Sequence, residues 1–240
     1  MKILAIDTSN IPLSVAVLDG NSLLGQTTTN LGRNHSVSLM PIVADLLKRS
    51  RLEAEDIDRF VVAQGPGSYT GLRIGVTTAK TFASTLNKEL VGVSSLKLLA
   101  ANYPSATERI LVPVFDARRG NVFAAAYQYQ AGKLTELLPD QHISFTDLCA
   151  ALKEKHAKVI FVGADAAHFA DELKDSGLDY MISEAKYNYP QAFVLGLLGA
   201  EEKPAEIDSF VPNYHRLTQA EIQWHQSHPE KEHRPYVERY

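Results

Sequence analysis

Gln64-Gly65-Pro66-Gly67-Ser68-Tyr69-Thr70-Gly71-Leu72-Arg73-Ile74-Gly75 decides how the rest of this chain is read. The apolar run Phe60-Val61-Val62-Ala63 before it predicts a short buried strand. Leu72, Val76, Ala79, Ala83 and Leu86 after it recur at steps of three and four, the spacing of one helix face. Glycines at such a strand-to-helix junction permit positive φ, expected here at Gly71, and the close approach of another backbone or of an anion. The free N–H groups and partial positive charge of a helix N-terminus would favour the anion. A Walker loop is excluded, because no Gly-Lys-Ser/Thr closes the motif and the first lysine, Lys80, falls inside the helix. The alternative is a tight turn whose glycines only satisfy geometry, with Thr70 as the N-cap.

The 240 residues suffice for one large domain or two lobes with their own cores. Apolar residues make up 45% and charged residues 22%, the ordinary globular range. A net charge of −4 gives no overall basic field for autonomous nucleic-acid binding. The single cysteine, Cys149, excludes an internal disulfide and fits a reducing compartment. Met1-Lys2 leads straight into Ile3-Leu4-Ala5-Ile6, with no signal peptide and no membrane-length apolar run, so a cytoplasmic protein is expected.

Working outward from the glycine turn, the pattern becomes a repeat. Ile3 to Ile6 predicts a strand ending at Asp7-Thr8-Ser9, and alternation through Leu13, Val15 and Val17 predicts a second. Asp19-Gly20-Asn21 turns the chain into a third at 22–28. Asn34 or Ser36 can cap a helix carrying Leu39, Ile42, Val43, Leu46 and Leu47, with Pro41 implying a kink or a start nearer Ser38. The strand at 60–63, a helix at 71–87, a strand at 90–93 and a helix at 95–101 complete the half. Residues 110–115 then open a second series on another aspartate, Asp116, with strands at 121–129 and 134–138. A helix at 146–155, a strand at 159–162, a helix at 166–174, a strand at 180–182 and a helix at 191–200 follow. The order βββαβαβα occurs twice, which predicts an α/β protein of two duplicated lobes, 1–104 and 105–216, followed by a polar tail, 217–240.

Tandem βββαβαβα halves, each opening on a strand that ends in aspartate, resemble the actin/hexokinase/Hsp70-like (ASKHA) fold. Ile3-Leu4-Ala5-Ile6-Asp7-Thr8-Ser9, the motif Gly65 to Gly75, and Pro212-Asn213-Tyr214-His215-Arg216 further resemble the TsaB (YeaZ) family. His215 departs from the leucine usual there, and 217–240 falls outside the resemblance. The resemblance implies a non-catalytic paralogue of TsaD that pairs with TsaD and, with the ATPase TsaE, serves threonylcarbamoylation of adenosine 37 in tRNAs reading codons that begin with A. It implies tRNA contact only through that complex, ATP or ADP only in the complex with TsaD and TsaE, and a homodimer when the chain is alone. Asp7, Thr8, Ser9, Gly65, Gly67, Ser68, Thr70, Gly71 and Arg73 would then form a structural or degenerate phosphate loop. In TsaD a His-x-x-x-His pair on the first long helix binds metal; here His35 is followed four residues on by Leu39, and a metal needs several converging ligands. His168, His215 and the tail histidines His225, His228 and His233 show no such pairing, so neither a metal nor a cofactor of the chain's own is expected.

Nucleophile readings fare no better: Ser9 and Ser68 lie outside any Gly-x-Ser-x-Gly elbow, and Cys149 sits beside Leu148 and Leu152 as a packed thiol would. The second-half remnant of an adenosine loop is Gly163-Ala164-Asp165-Ala166. No catalytic residue is assigned. The partner face expected from the two helices comprises Met40, Val43 and Leu47 on the first and Ile74, Thr77, Thr78 and Thr81 on the second, able to form a four-helix bundle with a partner. The competing readings are a small-molecule kinase or metal-dependent hydrolase of the same fold, and direct tRNA binding through Lys48, Arg49, Arg51, Arg118 and Arg119.

Overall fold

The computed structural model describes residues 1–32 and 34–215. The first half runs β1 (Lys2–Asp7), β2 (Leu13–Asp19), β3 (Ser22–Thr29), α1 (His35–Arg49), β4 (Arg59–Gly65), α2 (Tyr69–Leu86), β5 (Glu89–Ser94) and α3 (Ser95–Ala101). The second runs β6 (Ile110–Arg118), β7 (Asn121–Gln130), β8 (Lys133–Ser144), α4 (Phe145–Glu154), β9 (Lys158–Val162), α5 (Ala170–Ser176), β10 (Asp179–Ile182) and α6 (Ala192–Glu201). One sheet has the order β3-β2-β1-β4-β5, the other β10-β9-β6-β7-β8. Counted from its own first strand, each half therefore reads 3-2-1-4-5. In both, the first three strands pair antiparallel and the last two join in parallel. This is the ASKHA architecture.

Each sheet is apolar on both faces, so four cores form where helices cover them. α1 and α2 bury Leu39, Val43, Leu46, Val76, Ala79 and Ala83 against Leu4, Ile6, Val15, Phe60 and Val62 of the first sheet. α4 and α5 bury Phe145, Leu148, Leu152 and Leu173 against Val112, Val122, Val159 and Phe161 of the second. The two inner faces are covered by exchange. α3, which ends the first half, sets Leu96, Leu99 and Ala100 on the second sheet, against Leu111, Ala125 and Ile160. α6, which ends the second half, sets Ala192 and Leu195 on the first, against Ile3, Ala16, Leu18 and Val61. Sequence order places α6 with residues 105–216; in space it belongs to the first sheet. Gly196 and Gly199 permit the close contact, since a Cβ there would stand 2.6 Å from Leu18 and 2.3 Å from Val61. α6 is apolar around its circumference because α3 and the first sheet both press on it.

Several local expectations are corrected. α2 begins at Tyr69 with Ser68 as N-cap, whose Oγ accepts the Gly71 N–H at 3.3 Å; Thr70 lies in the first turn. α1 runs unbroken through Pro41 from an Asn34 in left-handed geometry that makes no side-chain cap bond. The roughly 3 kcal/mol cost of an interior proline is outweighed by burial of four Leu and Val side chains at about 1.5–3 kcal/mol each. β8 continues to Ser144, past a register shift, because Gln141 to Ser144 resume pairing with β7. The helix expected at 166–174 divides into a 3-10 turn, Ala164–Phe169, and α5. Among the described residues no helix is long and apolar enough to cross a membrane.

Candidate functional site

The glycine turn joins β4 to α2 by wrapping around the end of β1. Gly65 and Gly67 have positive φ, 129° and 157°; Gly71 does not. The expectation of positive φ at Gly71 is thus corrected: this glycine is needed for space. A Cβ on Gly71 would lie 2.1 Å from the Thr8 carbonyl oxygen, and one on Gly67 would lie 2.1 Å from that of Ser9. A Cβ on Gly75 would meet Thr8 Oγ1 at 2.3 Å. Hydrogen bonds close the contact, Thr8 Oγ1 donating to the Gly71 carbonyl at 2.7 Å and the Ser68 N–H to the Ser9 carbonyl at 2.7 Å. The close approach these glycines allow is therefore taken up by the protein's own backbone. Asp7 ends β1 beneath them, fully buried, with Oδ1 accepting the Ser9 N–H at 2.8 Å and Oδ2 unpaired among the described residues. Burial raises its pKa above the usual 3.8; the Ser9 hydroxyl and amide and the nearby His35 offset part of that rise.

A second segment docks on the same turn. Residues 205–214 return along the first half with the Ala205 N–H on the Leu90 carbonyl and the Asn213 N–H on the Gln64 carbonyl, both at 2.8 Å. Lys80 Nζ donates to the carbonyls of Asp208 and Phe210, and Gln64 Nε2 to that of Val211. Gly65 and Gly92 leave room for this strap: a Cβ would stand 2.1 Å from the Asn213 oxygen and 2.7 Å from the Phe210 ring. At its end Tyr214 stacks on Tyr69, ring centroids 4.7 Å apart, and the Arg73 guanidinium lies 5.1 Å from the Tyr69 centroid. Arg216 and the tail 217–240, with His225, His228 and His233, lie outside the described residues.

Between the two halves lies a cleft of about 880 Å3. The first half lines it with Asn10, His35, Ser68 and Thr70, the second with Asp116, Arg118, Asp165 and His168, and the strap with Tyr214. Its carboxylates are already engaged. Asp165 Oδ2 accepts the Asp116 N–H at 2.9 Å, and Asp116 Oδ1 accepts the Arg118 N–H at 2.7 Å. His35 Nε2 lies 2.9 Å from the Asn10 carbonyl. Four residues on, Leu39 is buried in the core. Among the described residues no three His, Cys, Asp or Glu side chains converge as ligands would. Gly163 uses its conformation (φ 123°) to pack on β6, where a Cβ would be 2.7 Å from the Val114 oxygen, and its N–H donates to Asn188 Oδ1 at 3.0 Å. Cys149 is buried, its thiol pushed up to about 11 by desolvation, then by Glu172.

The helix face expected for a partner is divided by the structure. Met40 is exposed, as are Thr77 and Thr81, with Ile74 and Thr78 half-buried. Val43 and Leu47, at 1% and 7% exposure, belong to the lobe's own core and are withdrawn from that face. They sit on the stripe Leu39, Val43, Leu46, because Leu39 to Val43 is an i,i+4 step. On an adjoining face α1 carries a second apolar stripe, Val37, Met40, Pro41 and Ala44, all exposed. The spacing 37, 40, 41, 44 was legible as a second helical stripe. The Tyr69–Tyr214 stack was not, since nothing local links residues so far apart in sequence.

A family model described as TsaD, tRNA N6-adenosine threonylcarbamoyltransferase, matches residues 23–224. The chain is 42% identical, over 95% of its own length and 99% of the relative's, to a Bacillus subtilis protein named tRNA threonylcarbamoyladenosine biosynthesis protein TsaB. The chain belongs to the TsaB family. The Escherichia coli TsaB protein matches 53% of this chain and 55% of its own length at 35% identity. In three dimensions a Pseudomonas aeruginosa protein described as similar to peptidase YEAZ superposes with a TM-score of 0.75 at 25% identity, covering 90% of this chain and 99% of that one. The interlocked halves and the filled glycine turn are thus the geometry of a TsaB-family chain.

Proposed function

We propose that this chain serves tRNA threonylcarbamoyladenosine formation as a cytoplasmic, non-catalytic subunit that docks TsaD through the exposed face of α1 and α2. It works with TsaE and meets tRNA and nucleotide only within that assembly. The observation that carries the reading is the double-sided α1. A helix needs one apolar stripe to bury itself, and Leu39, Val43, Leu46 and Leu47 already supply it. Val37 at 66% and Met40 at 47% exposure, beside Pro41 and Ala44, form a second stripe that only a partner would remove from water. The neighbouring Thr77 and Thr81 of α2 extend it with small side chains that allow close helix packing.

The names of the relatives place the family in threonylcarbamoyladenosine biosynthesis. The non-catalytic role is supported by the glycine turn, which holds backbone where a phosphate loop would hold ligand, and by the engaged carboxylates of the cleft. Met40→Glu and Thr77→Arg, both at exposed positions, test the reading by calorimetric titration with TsaD. Burying an unpaired charge costs several kcal/mol and each 1.4 kcal/mol is tenfold, so binding weakened at least about tenfold at unchanged melting temperature is expected. Undiminished binding by both variants would place the partner surface elsewhere.

A further inference from the structure

We infer that Arg73 is the specificity anchor of this face, held ready for a carboxylate on a protein partner and thereby favouring a foreign partner over a second copy of this chain. The inference rests on the α1–α2 face being the docking surface and adds which partner that surface selects.

Arg73 stands one turn before Thr77 on the exposed side of α2, at the edge next to the strap. The helix carries one other charge, Lys80, and its ammonium is spent on the carbonyls of Asp208 and Phe210. Arg73 has no ion pair among the described residues. Its guanidinium is instead held over Tyr69, whose ring is stacked on Tyr214. A planar cation on an aromatic face keeps its edge donors free and gives up less rotamer freedom on binding, so it is preorganised for a two-pronged bond to a carboxylate. The strap is what completes the stack, because it brings Tyr214 from far along the chain to the first turn of α2.

The rest of the face decides what that cation meets. α2 contains no acidic residue, and the sole carboxylate on α1, Asp45, is bound by Arg49 of the same helix at 2.7 Å. From α1 and α2, a second copy would offer Arg73 threonines, apolar groups, another arginine or the already paired Asp45. Such a pairing desolvates a charge without compensation, whereas a partner with a carboxylate there gains a charge-assisted bond. Phosphate is the poorer match, since a nucleic-acid surface is built from several cations around a groove, whereas Arg73 is the one cation of α2 with its donors free and lies beside an apolar α1 stripe that ends in Lys48.

The test measures three affinities for wild type, Arg73→Gln and Arg73→Glu: for TsaD, for self-association and for unmodified tRNA. TsaD titrations are run at low and high salt. Arg73→Gln should weaken TsaD binding roughly tenfold, and Arg73→Glu further, with the salt dependence of the wild type largely lost. Self-association should be unchanged or tighter, and melting temperatures unchanged. Equal loss of both protein associations, or no loss of TsaD binding, would overturn the inference. So would loss of tRNA retention alone, which would assign Arg73 to a phosphate. If Met40→Glu abolishes TsaD binding and Arg73→Gln does not, the face stands and only the anchor fails; if neither matters, the face itself is wrong.

Discussion

Gly71→Ala sets two effects of opposite sign against each other. Inside a helix, alanine in place of glycine stabilises by about 1 kcal/mol. At this position the new Cβ would lie 2.1 Å from a backbone oxygen, far inside the 3.4–4 Å of ordinary contact, and the oxygen belongs to Thr8 at the end of a central strand. Either β1 or the first turn of α2 must move. That movement breaks the 2.7 Å bond from Thr8 Oγ1 and leaves a hydroxyl of 1% exposure without a partner. An unsatisfied buried hydroxyl costs about 1–3 kcal/mol and forced overpacking a similar amount, so the net loss is about 3 kcal/mol after the helix gain. For a chain of this size that lowers the melting temperature by roughly 6–12 °C. Circular-dichroism melts and urea titrations measure it. A variant that melts slightly higher than wild type would mean helix propensity wins, and the docking of the glycine turn on β1 would be refuted.

Further outcomes follow from burial and connectivity. Asp7→Asn should melt higher than wild type near neutral pH: a raised folded pKa means stability falls as pH climbs from the usual 3.8 through the raised value, and asparagine avoids that loss, so the gap should close in acid. Val43→Glu should unfold the protein rather than disrupt an interface, because its side chain lies among Leu39, Leu46 and Phe60; a folded variant with a normal melt would contradict the core assignment. The fragment 1–104 should be insoluble, since without α6 the sheet face of Ile3, Ala16, Leu18 and Val61 is bare; a soluble fragment with a cooperative transition would show that the exchange of α3 and α6 is dispensable.

The repeat was readable because its signals are local. Alternation in Leu13 to Val17, the three- and four-residue steps from Leu72 to Leu86 and the two strands ending in Asp7 and Asp116 each require only neighbours in sequence. What eluded the sequence is long-range. Gly71 looked like a conformational glycine, but its reason is a carbonyl at Thr8, 63 positions away. α6 shows no stripe to say which sheet it covers. Val43 and Met40 both look like helix hydrophobics, and only the position of the sheet assigns one to the core and the other to the outside. Tyr69 and Tyr214 meet through a strap held largely by backbone carbonyls, which leave no side-chain signature.

The most direct measurement is threonylcarbamoyl transfer to tRNA in a reconstituted system of TsaD and TsaE, with and without this chain and its Met40→Glu variant. The expected result is transfer that depends on the wild-type chain, fails with the variant despite an unchanged melting temperature, and is absent when the chain is assayed without TsaD. Transfer by the chain alone, or full activity with the variant, would contradict a non-catalytic subunit that works through the α1–α2 face.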